Sequence, residues 1–101
     1  MNTNVIIGLA ATAIAMFAGG CAVQPLPSAE IASSEAAISA ALGAGAAESA
    51  SHEMALAREK LELTRRWIEA RAYKPARWLA EQAQVDAELA SMKAMGARGR
   101  P

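Results

Sequence analysis

Histidine, cysteine and aromatic side chains are scarce in this chain. Its 101 residues include one histidine, His52, one cysteine, Cys21, and four aromatic residues. A Cys/His zinc set and a two-histidine metal site each need more ligands of these types than the chain offers. The sequence therefore predicts no metal ligand and no cofactor.

Charge is absent from the first 29 residues and unevenly spread over the rest. The formal net charge is zero, but residues 21–53 carry four acids and no base, whereas residues 54–101 carry ten bases and six acids. The basic residues alternate with acids, and few aromatic rings are available to stack on bases. The pattern therefore disfavours nucleic-acid binding, and it indicates ion-paired helix surfaces rather than a carboxylate site.

A long hydrophobic run is also missing, although a shorter one is present. Val5–Ala18 contains 14 uncharged, mostly apolar residues, and the small residues Gly19 and Gly20 precede Cys21. A membrane span needs about 20 apolar residues, so the run has the length of a signal-peptide core. Together with Cys21 it resembles a bacterial lipoprotein signal peptide. An uncleaved anchor extending to Val23 and an ordinary cleaved signal are the alternatives.

The resemblance implies a lipid-anchored protein. Residues 1–20 would be the signal peptide, cleaved between Gly20 and Cys21, and Cys21 would carry a diacylglyceryl thioether and an N-acyl chain. Ala22 follows the cysteine, where Asp would mark inner-membrane retention, so the resemblance implies the periplasmic face of the outer membrane. The sequence departs from the usual pattern at Ala18, where Leu is commonest, and in lacking Lys or Arg among residues 1–4.

An acylated cysteine leaves no thiol for catalysis. His52 then has no nucleophile to activate, so the sequence predicts no catalytic residue and no small-molecule substrate. We expect a protein that is not an enzyme.

The remaining 81 residues favour a small all-α domain. Twenty-two of them are alanine, so the core buries little apolar area per residue, and a domain of this size often needs a partner, an anchor or oligomerisation. Residues 21–27 contain Pro25 and Pro27 and predict an extended tether. A first helix is expected over Ala29–Leu42, capped by Ser28, with one face formed by Ile31, Ile38 and Leu42.

Two further helices are expected after the glycines at positions 43 and 45. The second is capped by Ser51 and has a seam at Met54, Ala57, Leu61, Thr64 and Ile68. The third runs from Pro75 to Met95, with a stripe of small residues at Ala76, Ala80, Ala83, Ala87, Ala90 and Ala94. The prediction is an antiparallel helical hairpin or three-helix bundle over residues 28–96, followed by a disordered tail, residues 97–101.

The second and third helices each carry a second apolar stripe. Its members lie opposite the predicted core: Leu56, Leu63, Trp67, Trp78, Val85, Leu89 and Met92. A first helix covers only one side of a hairpin, so the stripe is either a modest leftover surface or a face for a protein partner or a second copy. In the latter case Trp67 and Trp78 are the candidate anchors.

Three segments carry a resemblance to a known family. Ala55–Thr64, Glu69–Ala83 and Val85–Ala94 resemble the Ala-rich domain of unknown function 4398, found in small Gram-negative envelope lipoproteins, and the likeness extends over residues 28–97. The chain departs from it at Arg71-Ala72, where the family usually has Gly-Asp before the tyrosine.

The function expected from these features is non-catalytic. We expect an outer-membrane lipoprotein that acts by helix-mediated protein contact. The alternatives are a self-associating structural component of the envelope and a small accessory or inhibitory subunit of a periplasmic enzyme.

Overall fold

The computed structural model describes residues 25–99, which form helices and no strand. The four helices are α1 (Ser28–Gly43), α2 (Ala46–Ser49), α3 (Ser51–Glu69) and α4 (Tyr73–Arg98). The predicted all-α bundle is confirmed. The predicted signal peptide, Cys21 and the first part of the tether lie outside the described residues, as do the last two residues of the predicted tail.

The long helix α4 packs along both α1 and α3, which contact each other over a shorter stretch. Arg77 donates a hydrogen bond from Nη2 to the Pro25 carbonyl at 3.2 Å, and Arg98 donates one to the Gly43 carbonyl at 3.2 Å. The start of α1 therefore lies near the start of α4, and the end of α1 near the end of α4. These two helices run parallel.

Helix α3 runs antiparallel to α4, as two ion pairs show. Lys93 Nζ lies 2.8 Å from Glu53 Oε1, and Lys60 Nζ lies 2.7 Å from Asp86 Oδ2. A step of seven residues forward along α3 corresponds to seven residues backward along α4. The start of α1 and the α3–α4 turn consequently share one end of the bundle, here called the turn end. The α1–α3 connection and the end of α4 form the far end.

The core is built from alanines and a few larger side chains. All six residues of the predicted alanine stripe on α4 are buried, as are Met54, Ala57, Leu61 and Thr64 of the predicted α3 seam. Ile68 at the end of the seam is half-buried. Methyl side chains let helices approach closely, because the distance between axes depends on the side chains at the contact. Thr64 donates its hydroxyl to the Lys60 carbonyl at 2.8 Å, which satisfies this buried polar group.

The predicted face of α1 is wrong at Leu42, which is exposed. The buried residues of α1 are Ser34, Ile38 and Ala41, and Ile31 is half-buried. Ser34 and Ala41 are small, so turning them inward brings α1 close to the alanines of α4. The small residues decide the orientation of α1 here, and the bulkier Leu42 is left outside.

Both predicted N-caps are also wrong. Ser28 and Ser51 are the first helical residues, the cap positions are Pro27 and Ala50, and no side chain caps either helix. The carbonyls of Pro27 and Ala50 instead accept the first helical bonds, each at 3.0 Å, from the amides of Ile31 and Met54. Pro27 is buried, so the end of the predicted tether is part of the domain.

Helix α4 is longer than predicted at both ends. It begins at Tyr73, because proline is tolerated within the first turn, where its missing N–H would have had no helical partner. It continues through Gly96 to Arg98, whose guanidinium bonds to the end of α1. The prediction of a disordered tail is therefore wrong for Ala97 and Arg98.

The α3–α4 turn is tight and has an unusual residue at its centre. The Ala72 amide donates to the Trp67 carbonyl and the Arg71 amide to the Ile68 carbonyl, both at 2.9 Å, which is the Schellman pattern of a helix C-terminus. Arg71 has φ +60° and is the one non-glycine residue with positive φ among residues 25–99. It stands where the family resemblance places glycine.

Replacing Arg71 by glycine is expected to stabilise the domain. Glycine adopts a left-handed conformation without the steric penalty of a Cβ atom, so Arg71→Gly should raise the free energy of unfolding by about 1 kcal/mol. The matched control is Arg66→Gly, an exposed site inside α3, which should lower it by about 1 kcal/mol. Urea unfolding followed by circular dichroism measures both, and a loss of stability in Arg71→Gly would contradict the argument.

Candidate interaction surface

Helix α4 presents an apolar stripe on the side opposite its buried alanines. Trp78, Val85, Leu89 and Met92 are 45–61% exposed. Their spacing of seven, four and three residues keeps them on one side of the helix, and the alanine contacts with α1 and α3 occupy the other. The structure thus leaves the α4 part of the predicted stripe open to solvent among the described residues.

Helix α3 adds its part of the stripe beside that of α4. Leu56 and Leu63 are half-buried, and Trp67 is 44% exposed. Leu56 lies four residues before Lys60, Leu63 lies three residues after it, and Trp67 lies four residues after Leu63. Residues at these spacings share one side of a helix, here the side from which Lys60 reaches Asp86. The antiparallel packing of α3 and α4 thus places the two parts of the stripe side by side. We call the combined surface, which consists of the seven predicted residues, the outer face.

Helix α1 does not cover the outer face, because it packs on the other side of the hairpin. Arg65 lies 3.4 Å from Glu35 of α1. Arg65 follows Leu63 by two residues, so it lies about 200° further around α3, on the side away from the outer face. The pair between Arg77 and Glu30 at 3.5 Å joins α1 to α4.

Two ion pairs on the outer-face side of the hairpin, Lys60–Asp86 and Lys93–Glu53, set its register. Lys93 donates a hydrogen bond to Glu53, and this bond, with a smaller contribution from the backbone, holds the pKa of the Glu53 carboxyl below its ordinary value. The charged form of Glu53 is therefore favoured in the folded chain, and its stabilising contribution is lost only as the pH falls through that lowered pKa. These pairs align α3 with α4.

Sequence reasoning missed two exposed apolar residues. Leu26 lies in the segment predicted as an extended tether, and Met95 is the residue at which α4 was predicted to end. Neither belongs to the outer-face periodicity, so the helical spacing gave no signal for them.

His52 and most acidic side chains of the described residues lie on the protein surface. Among residues 25–99 no group of three or more His, Cys, Asp or Glu side chains is placed to hold a metal ion. His52 is exposed at the start of α3. Glu62 pairs with Arg65 at 3.3 Å, and Glu88 accepts a hydrogen bond from Gln84 at 2.9 Å.

A groove between α1 and α4 adjoins the outer face at Met92 and offers about 570 Å³ of space. Its lining is mostly small or apolar: Ser33, Ala36, Ala37, Ala40, Gln84, Glu88, Ser91, Met92 and Met95. Glu88 is its one ionisable side chain. The other polar side chains of its lining are Ser33, Gln84 and Ser91.

The fold and this surface define a small helical bundle with an alanine core and an apolar outer face. The family model described as Domain of unknown function (DUF4398) matches residues 29–100, and the chain belongs to this family. No curated protein and no solved structure matches the chain. None of the helices described between residues 25 and 99 combines the length and the apolar character that a bilayer crossing requires.

Adjacent residues on α4 allow a direct check of which side is core. Trp78→Ala should change the free energy of unfolding by less than about 0.5 kcal/mol and leave helical content intact, because the ring is exposed. Leu79→Ala, at a 9% exposed position next to it, should cost about 2–4 kcal/mol. Urea unfolding compares the two variants, and an equal loss in both would place Trp78 in the core.

Proposed function

We propose that this protein is an outer-membrane lipoprotein, anchored through acyl chains on Cys21 at the periplasmic face, whose helical domain acts by contacting another protein. The support for the anchor is the 14-residue apolar run and the small residues before Cys21. The observation that carries the contact role is the outer face, an apolar surface that α1 leaves uncovered.

Acylation of Cys21 would hold the protein on the membrane without a spanning helix. Each buried methylene contributes about 0.8 kcal/mol, so two or three acyl chains give stable anchoring, whereas one chain gives only marginal binding. The helical domain would then remain in water beside the membrane.

The part of the outer face on α4 has the pattern of a helix that binds in a groove. Val85, Leu89 and Met92 occupy positions i, i+4 and i+7 and are all exposed. Partner proteins recognise this spacing by receiving the three side chains in an apolar groove. The partner we propose therefore presents such a groove to α4. A second copy of this chain and a periplasmic enzyme that takes the protein as an accessory or inhibitory subunit are the alternatives.

Mass spectrometry of the native protein tests the anchor. We expect a chain that begins at Cys21 and carries diacylglyceryl and N-acyl groups, so that the polypeptide contains the 81 residues that follow the predicted cleavage site. The control is Cys21→Ser, which should carry no lipid. An unmodified wild-type chain that still contains its first residues would contradict the proposal.

Photo-crosslinking in cells tests the contact. A photoreactive residue at Leu89 should give one dominant band with a heterologous protein, and one at Arg58, which is exposed on α3 about 200° around the helix from Leu56, should give none. A homodimer band would favour self-association instead. No band at Leu89, or equal bands at both positions, would contradict a protein contact through this face.

A further inference from the structure

The segment that leads to Cys21 enters the bundle at the turn end. Arg77 binds the Pro25 carbonyl and pairs with Glu30, which fixes the start of α1 beside the first turns of α4. The α3–α4 turn, residues 70–72, precedes α4 directly. The structure therefore places this turn and the entry point of the chain on the same end.

The length of chain before Pro25 keeps this end close to the lipid. Pro25 follows Cys21 by four residues. A fully extended chain spans at most about 3.6 Å per residue, so Pro25 lies within about 14 Å of an acylated Cys21. The far end has no such restraint, because α4 extends away from Pro25 for its whole length.

Exposed apolar and aromatic side chains gather at the turn end. Leu26 is exposed next to Pro25, and Trp67 and Trp78 are exposed on the outer face. Trp67 lies in the last two turns of α3 and Trp78 in the first two turns of α4, each within about 8 Å of the turn along its helix axis. Tyr73 is half-buried beside them. Tryptophan and tyrosine concentrate at the boundary between lipid headgroups and acyl chains.

Positive charge surrounds the same turn. Arg66, Arg71 and Lys74 are exposed there, and Glu69 is the exposed acid among them. Arg77 is neutralised by its pair with Glu30. Cations near a membrane are attracted by anionic headgroups. Among the described residues of the far end, by contrast, Lys93 and Arg98 are matched by two acids, Glu48 and Glu53.

We propose that the turn end of the bundle rests in the membrane interface, with Trp67 and Trp78 at the headgroup–acyl boundary and Arg66, Arg71 and Lys74 against anionic phospholipid headgroups. This inference rests on the proposed lipid anchor. It divides the outer face into a lipid-contacting part at the turn end and a part formed by Val85, Leu89 and Met92 that remains available to a protein.

The tryptophans themselves report on this contact, because Trp67 and Trp78 are the only two in the chain. The natively acylated protein is reconstituted in vesicles of phosphatidylethanolamine and phosphatidylglycerol, with or without bromine on the acyl chains. We expect brominated lipid to quench the tryptophan emission and the emission maximum to lie at shorter wavelength than in the Cys21→Ser protein free in buffer. Trp67→Phe and Trp78→Phe separate the two contributions.

The matched control moves the reporter to the far end. Met92→Trp in the Trp67→Phe/Trp78→Phe background places the sole tryptophan on the same face, about 20 Å further from the turn than Trp78. We expect no quenching there. Quenching equal to that of the natural tryptophans would overturn the proposal, because the bundle would then lie flat on the lipid.

Vesicle flotation distinguishes failure of the inference from failure of the anchor. If the acylated protein floats with vesicles and neither natural tryptophan is quenched, the membrane contact is refuted and the anchor stands. If the wild-type protein does not float, both proposals fail. The role of the cations is tested by removing phosphatidylglycerol, by raising the salt concentration and by the double variant Arg71→Ser/Lys74→Ser. If tryptophan quenching stays the same under all three changes, the role of the cations is refuted.

Discussion

Close packing of alanines along α4 is the constraint on which the rest of the structure depends. Six residues of this helix are buried with only a methyl group each, and they meet both α1 and α3. Large side chains cannot enter a contact this close without forcing the helices apart. Four larger apolar residues of α4 therefore lie on its opposite side: Trp78, Val85, Leu89 and Met92. The apolar outer face is a consequence of the core and not a feature added to it.

The same constraint limits what holds the domain together. Alanine removes little apolar surface from water, so the larger buried residues, such as Met54, Leu61 and Leu79, contribute most of the apolar area per side chain. Partly shielded ion pairs such as Lys60–Asp86 fix the alignment of α3 on α4. A domain with so thin a core gains stability from any surface that binds only its folded form, whether a protein or a membrane.

The sequence predicted what depends on spacing within one helix and missed what depends on contacts between helices. The alanine stripe and the α3 seam follow from residues three and four apart, and they are buried except for the half-buried Ile68. The residues of the predicted second stripe are exposed or half-buried. The exposure of Leu42 depends on how α1 docks on α4. The position of Pro25 at the turn end depends on the packing of α1 along α4 and on the contacts of Arg77 with Pro25 and Glu30, for which helical spacing gives no signal.

Arg71 joins the backbone conformation of the turn to the charge of the turn end. A left-handed arginine costs about 1 kcal/mol relative to glycine, and such strain persists in proteins where the side chain does something that glycine cannot. At this position a cation lies at the C-terminus of α3, where the helix dipole favours positive charge. It also stands on the end of the bundle nearest Cys21, among Arg66 and Lys74. Attraction to the helix dipole and, in the proposed membrane contact, attraction to anionic headgroups would act in the same direction at this residue, which gives a physical reason for arginine where the family resemblance places glycine.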